Sequence, residues 1–175
     1  MTSQENKILP IRVYGDPVLR KKVKAIENID GSIDKLAKEM IASLGRARGL
    51  GLAAPQVGFL KSLCIINLPL MNDKIKEPLV LINPEVKLRE GEVCYEEGCL
   101  SFPGIYFEVT RPQKIALTGI DLDGNELEYE ASDVLARVFL HETDHLNGVL
   151  FIDHLSTIKR QLLKSKLKKL TQPDK

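Results

Sequence analysis

The stretch Arg137-Val138-Phe139-Leu140-His141-Glu142-Thr143-Asp144-His145-Leu146-Asn147-Gly148 decides how the rest of the chain is read. Ser132-Asp133 signal a helix start just before it. Val134, Leu135, Val138, Phe139 and Leu146 recur at helical spacing, and Gly148 marks the stop. Residues four apart share one helical face, so His141 and His145 can reach one metal ion with Glu142 beside it. The chain holds 3 His, and a shuffle of its composition produces this spacing in about 0.3% of cases. An exposed polar face that matches by accident is the weaker reading.

A catalytic metal needs a third protein ligand and an open position. A thermolysin-like site takes a Glu from farther down the chain, but no Glu follows Glu142. A metzincin places a third His six residues after the second. Here Gly148 fits that pattern and Phe151 stands where the His belongs. Both peptidase layouts fail. Asp153 and His154 are local donors beyond the helix stop. Cys99 is the better third ligand, because Glu96-Glu97-Gly98-Cys99-Leu100-Ser101-Phe102-Pro103-Gly104 is a turn-rich stretch that can present a thiolate. On its own a Cys beside a Gly is more often a packed core residue, and that is the expectation for Cys64 and Cys94.

Around this helix the chain alternates clear signals. Ile8–Val13 reads as extended and enters a Gly15-Asp16-Pro17 turn. A first helix is capped by Ser32, carries Ile33, Leu36, Ala37, Met40, Ile41 and Leu44, and exits near Gly45. Gly49–Gly58 is too irregular for a strand and too rich in Gly and Pro for a helix. Strands are expected at 63–68, 78–82, 105–109 and 115–120, with Asp123-Gly124 turning a hairpin between 115–121 and 126–129. A third helix covers about 156–170, its apolar stripe made of Leu155, Ile158, Leu162 and Leu170. Strands bracketed by helices and joined by hairpins predict one α+β domain over residues 1–175.

Composition narrows the class. With 43% hydrophobic residues, 28% charged residues and a net charge of +1, neither disorder nor a surface that coats nucleic acid fits. The apolar runs at 63–66, 79–82 and 149–152 fall far short of the roughly 20 residues a bilayer requires. Met1–Lys7 is polar and lacks a signal-peptide hydrophobic region, and three Cys cannot all pair. The expected location is the cytoplasm. Zero Trp and nine Phe and Tyr predict an aliphatic core without a stacking platform for single strands. Charge is uneven, however. Residues 156–175 carry seven Lys and Arg against Asp174, a balance of +6 that leaves the remainder at −5. Such a face is drawn to phosphates, or is simply a solvated helix surface.

Three segments, Gly49–Gly58, Glu97–Ser101 and His141–Gly148, resemble the signature motifs of bacterial peptide deformylases in order and separation. Gly15-Asp16-Pro17-Val18-Leu19-Arg20-Lys21 is similar to that family's entry stretch, and the likeness runs from Ile8 to about Ile152. The fold this likeness implies has mixed or antiparallel strands around a central metal-binding helix, with an N-terminal helix and a C-terminal helix. The resemblance implies Cys99, His141 and His145 as ligands of one iron(II) ion per chain, with zinc or nickel able to substitute. It implies removal of the formyl group from the N-terminal methionine of new polypeptides, with release of formate. Metal-bound water would attack, Glu142 would serve as general base and then acid, and Gln56 and the Leu100 backbone N–H would stabilise the oxyanion. By position, Gly51 would approach the substrate backbone, and Leu50, Tyr95 and Val138 would line a methionine slot. Glu97 and Arg111 would form an ion pair tying the Cys loop to a neighbouring strand.

Leu140 stands where the family usually has Gln, so a hydrogen bond supporting the site would be lost. The implied partners are formyl-Met nascent peptides and the ribosome, reached through the basic C-terminal helix, with no membrane and no sequence-specific nucleic acid. Two other readings compete. A metal-dependent endopeptidase lacks its downstream Glu or His, and a catalytically silent ribosome-docking module would hold metal without releasing formate.

Overall fold

The computed structural model describes residues 7–171, so Met1–Asn6, Asp174 and Lys175 of the sequence reading lie outside it. Three helices, α1 (Gly31–Ala47), α2 (Asp133–Leu146) and α3 (Thr157–Leu170), accompany seven strands. The strands are β1 (Gly51–Ala53), β2 (Leu63–Ile66), β3 (Leu79–Glu90), β4 (Val93–Gly98), β5 (Tyr106–Arg111), β6 (Lys114–Ile120) and β7 (Glu126–Ser132). One antiparallel sheet has the order β1-β2-β3-β6-β7, and β4 and β5 form a separate antiparallel pair. The architecture is the expected α+β.

Strand alternation puts the core on both faces of the large sheet. Leu63 and Ile65 of β2, with Leu52 and Ile82, pack under Ile33, Leu36, Met40 and Leu44 of α1. Cys64 and Ile66 face the other way, joining Leu81, Leu117, Ala136, Phe139 and Leu140 against α2. All four β2 residues are buried because both faces are covered. A third cluster joins Phe102, Ile105 and Val109 to Leu150, Phe151, Leu155 and Leu163, seating the small sheet and α3 beyond the end of α2. α2 therefore lies between the large sheet and the small one.

Several local expectations need correction. Gly51–Ala53 is a strand after all, paired antiparallel with Cys64–Ile66, and a 3-10 turn at Ala54–Val57 follows it. The Gly content hid a segment whose pairing comes from β2 rather than from its own propensity. β4 went unseen, and β3 runs eight residues past the predicted end at Ile82. Its register shifts after Ile82, where Asn83 takes φ 50° and its side-chain amide bonds both the N–H and the C=O of Ile26 at 2.8 Å. Asp30 caps α1 instead of Ser32, its Oδ1 accepting from Ser32 N–H at 2.9 Å and Ile33 N–H at 3.3 Å. α1 runs past Gly45 to Ala47, and Arg48 takes the left-handed C-cap. On α3 the inward residues are Leu163, Leu167 and Leu170, while Ile158 and Leu162 are 73% and 68% exposed. Leu155 precedes the helix, so counting the stripe from it set the phase wrong. Cys94 is exposed rather than packed, because β4 turns it away from the face that carries Tyr95 and Glu97.

The end of α2 is closed by the N-terminal segment. Val23 N–H donates to Leu146 C=O at 3.0 Å. Gly148 takes φ +72°, and a Cβ there would stand 2.6 Å from the Arg20 carbonyl oxygen. Gly148→Ala is expected to cost about 1–3 kcal/mol through backbone strain and overlap. Gly45→Ala, inside α1 with open space around it, should be neutral or stabilising by up to about 1 kcal/mol. Thermal unfolding followed by circular dichroism separates the two.

Candidate metal centre

His141 and His145 project from the same face of α2, with Nε2 atoms 3.2 Å apart, and Cys99 Sγ lies 3.2 Å from His145 Nε2. All three donor atoms lie within 4.8 Å of one another. Two nitrogens bound tetrahedrally at the usual zinc distance would be about 3.3 Å apart, so the donor set fits a small divalent ion. A thiolate with two imidazoles also suits iron(II), zinc and nickel chemically. Asp153 and His154 do not join the cluster. Asp153 pairs with Arg20 at 2.5 Å, and His154 Nε2 lies 2.7 Å from Asp144 Oδ2.

The electrostatics favour a cation. Burial pushes His145 well below the ordinary imidazole value, aided by the neighbouring His141 and Arg111, so it is a neutral donor. Burial opposes a charge on His141 too, but Cys99 and Glu97 outweigh it and raise this group well above its usual range. A proton there sits where a metal would, drawn by the same negative groups.

Glu97 is held from four sides. Arg111 Nη2 and His141 Nδ1 each approach Oε1 at 2.6 Å, while Arg111 Nε at 2.8 Å and Arg137 Nη1 at 2.7 Å donate to Oε2. Burial alone would raise its carboxyl, but the hydrogen bonds from Arg111 and His141 hold it well below the usual carboxylate range. The expected Glu97–Arg111 pair is thus present, with an addition that sequence reasoning missed: the same carboxylate orients a candidate ligand. Arg111 continues to Asp144 Oδ2 at 2.7 Å. Neither Arg137 nor Asp144 stood out in the sequence, since each matched an ordinary polar position on α2. Leu140 lies in the apolar cluster between α2 and the large sheet, away from these polar groups.

Glu142 is 3% exposed, and its Oε2 has no hydrogen-bond partner among the described residues. Burial pushes its carboxyl up to about 7, against the pull of His141. Gly51 lies directly against it, and a Cβ at that position would overlap the carboxylate. The Gln56 side chain is fixed by Ala53 N–H, which donates to Oε1 at 2.8 Å. Its Nε2 is thereby left beside Ser101 Oγ at 3.2 Å and Cys99 Sγ at 3.5 Å.

A cleft of about 530 Å³ opens over the cluster. Gly51, Gln56, Cys99, Leu100, His141 and Glu142 line its base, and Leu50, Tyr95 and Val138 contribute to its walls. His145 lies beneath, 1% exposed.

The family model described as Polypeptide deformylase matches residues 8–161. A peptide deformylase of Thermodesulfovibrio yellowstonii is 45% identical over 161 residues, which cover 92% of this chain and 97% of that protein. A crystal structure of a peptide deformylase from Legionella pneumophila superposes with a TM-score of 0.86 at 41% identity, covering 93% of this chain and 94% of that one. The peptide deformylase from Thermus thermophilus gives 0.86 at 38% identity, covering 94% and 98%.

A hydroxyl is a poor substitute for a soft thiolate. Cys99→Ser should therefore lose metal on dialysis, while Cys64→Ala and Cys94→Ser, which are not members of the cluster, should retain it. Elemental analysis of the three variants reads the difference.

Proposed function

The chain belongs to the polypeptide deformylase family, and from that membership we propose that it removes the formyl group from the N-terminal formyl-methionine of newly made polypeptides, releasing formate. The observation that carries this reading is the Cys99, His141 and His145 cluster at the foot of a cleft, with a buried Glu142 carboxylate oxygen beside it that has no partner among the described residues. A divalent ion held there, iron(II) by the family's chemistry with zinc or nickel as substitutes, would acidify a water and polarise the formyl carbonyl.

The chain's own groups do the rest. Glu142 takes a proton from the attacking water, and its raised pKa suits it to return that proton to the leaving nitrogen as the C–N bond breaks. Gln56 Nε2, its orientation set by Ala53, donates to the developing oxyanion. The Leu100 backbone N–H, which has no backbone partner among the described residues, is the second donor. Gly51 gives the substrate backbone room beside Glu142. Leu50 and Tyr95, about two-fifths exposed, and the buried Val138 accept the methionine side chain.

We place this work in the cytoplasm, on chains leaving the ribosome; no helix among the described residues is long and apolar enough to cross a membrane. The basic α3 supports docking there. A groove of about 550 Å³ along it is lined by Arg20, Arg160, Lys164 and Lys168. Three of these cations follow at successive turns of the helix, about 6 Å apart along its axis.

Glu142→Gln keeps the side-chain volume and removes its basicity. It should retain metal and lose about 10²–10⁴-fold in formate release from a formyl-Met tripeptide; turnover within a few-fold of the parent would refute the role. For docking, the combined variant Arg160→Gln, Lys164→Gln, Lys168→Gln should keep tripeptide turnover. It should also bind ribosomes more weakly and with a shallower salt dependence, as measured by co-sedimentation.

A further inference from the structure

Arg137 stands one turn before His141 on α2, so both side chains look toward β4. It is a guanidinium 6% exposed, and its contacts reach three same-face positions of β4. Nη2 donates to the Val93 carbonyl at 3.0 Å, the guanidinium carbon lies 5.4 Å from the centre of the Tyr95 ring, and Nη1 donates to Glu97 Oε2 at 2.7 Å. The Tyr95 distance is within cation–π range. The other oxygen of Glu97 holds His141 Nδ1 at 2.6 Å. Arg111 already grips Glu97 through two nitrogens, so a second arginine is not needed to neutralise the carboxylate. What Arg137 adds is a connection. Tyr95 and Arg137 both line the cleft, and Tyr95 is 41% exposed.

We propose that Arg137 is a positioning residue that couples occupation of the methionine slot to the orientation of His141, through Tyr95 on one side and Glu97 on the other. A side chain filling the slot packs on the Tyr95 ring and fixes the guanidinium beneath it. The guanidinium in turn fixes the plane of the Glu97 carboxylate, and so the imidazole that Glu97 holds. An unfilled slot leaves the Tyr95 end of this chain loose. The inference rests on the formyl-methionine reading of the cleft for its substrate side, but not for its metal side.

The test compares the parent protein with Arg137→Met, which keeps the aliphatic stem and removes every N–H bond. Formate release is measured from formyl-Met-Ala-Ser and formyl-Ala-Ala-Ser, and Co(II)-loaded protein is titrated for affinity and visible absorption, which reports ligand geometry. The expected result has two parts: a preference in kcat for the methionine peptide that shrinks by more than about threefold in the variant, and an altered Co(II) spectrum with about 10–100-fold weaker binding. A purely structural tie would lower kcat equally for both peptides. That outcome, or an unchanged Co(II) spectrum and affinity, overturns the proposal. If Arg137→Met does not fold, Arg137→Lys, which retains a cation near Glu97 but loses the planar contact with Tyr95, is read by the same two criteria. Absence of formate from both peptides with the parent protein would refute the functional reading instead, and the Co(II) measurements then decide alone on Arg137.

Discussion

A carboxylate taken out of water survives as an ion only where enough donors replace its hydration, and Glu97 is built around that demand. Four hydrogen bonds from Arg111, Arg137 and His141 fill its two oxygens. The donors come from two elements and meet on a third. Arg111 ends β5, Arg137 and His141 belong to α2, and Glu97 itself lies on β4. The small sheet and the central helix therefore meet through one buried charge. Two residues beyond it along the chain, Cys99 arrives beside His145. Removing Glu97 would free two buried cations and one imidazole together, so the cluster of Cys99, His141 and His145 and the packing of β4 stand or fall as a unit.

The second condition is apolar. α2 presents Phe139 and Leu140 to the large sheet and His141 and Glu142 to the cleft, with Leu146 returning to the core. Helical periodicity alone separates the dry side from the reactive side. Leu140 belongs to the dry side, so an apolar residue there costs nothing in packing. Gly51 closes the arrangement from β1: its missing side chain is the space in which the Glu142 carboxylate sits.

The parts legible in the sequence were those whose information is local. The His141–His145 spacing, the helix starts near residues 132 and 156, and the Asp123-Gly124 hairpin each depend on a few neighbouring residues. That Cys99 meets the two histidines could be reached by exclusion, because the standard alternatives require residues the chain lacks. What stayed hidden depends on partners distant in sequence. β1 is a strand because β2 lies beside it, and β4 because β5 does. The roles of Arg137 and Asp144 follow from what they touch, not from their spacing. Cys94 and the α3 stripe were misjudged because composition says that a side chain is apolar but not which face it occupies. The segment Gly49–Gly58 shows the limit most clearly, since its motif was recognisable while its strand was not.

The closure of α2 by the N-terminal segment has a consequence for how the protein is made. Arg20 meets Asp153 across 133 residues of sequence, and Val23 bonds to Leu146. Both contacts tie a residue before α1 to one more than 120 positions later in the sequence. On a translating ribosome the first strands and α1 can assemble, but this strap has nothing to grip until α2 and the turn after it have emerged. Connections this non-local carry a large loop-closure cost and slow the final folding step. The two histidines lie on that same late helix. Synthesis at about 5–20 residues per second thus leaves the growing polypeptide several seconds with Cys99 translated and no imidazole to stand beside it. Assembly of the site therefore waits for α2, whatever the earlier strands have already formed.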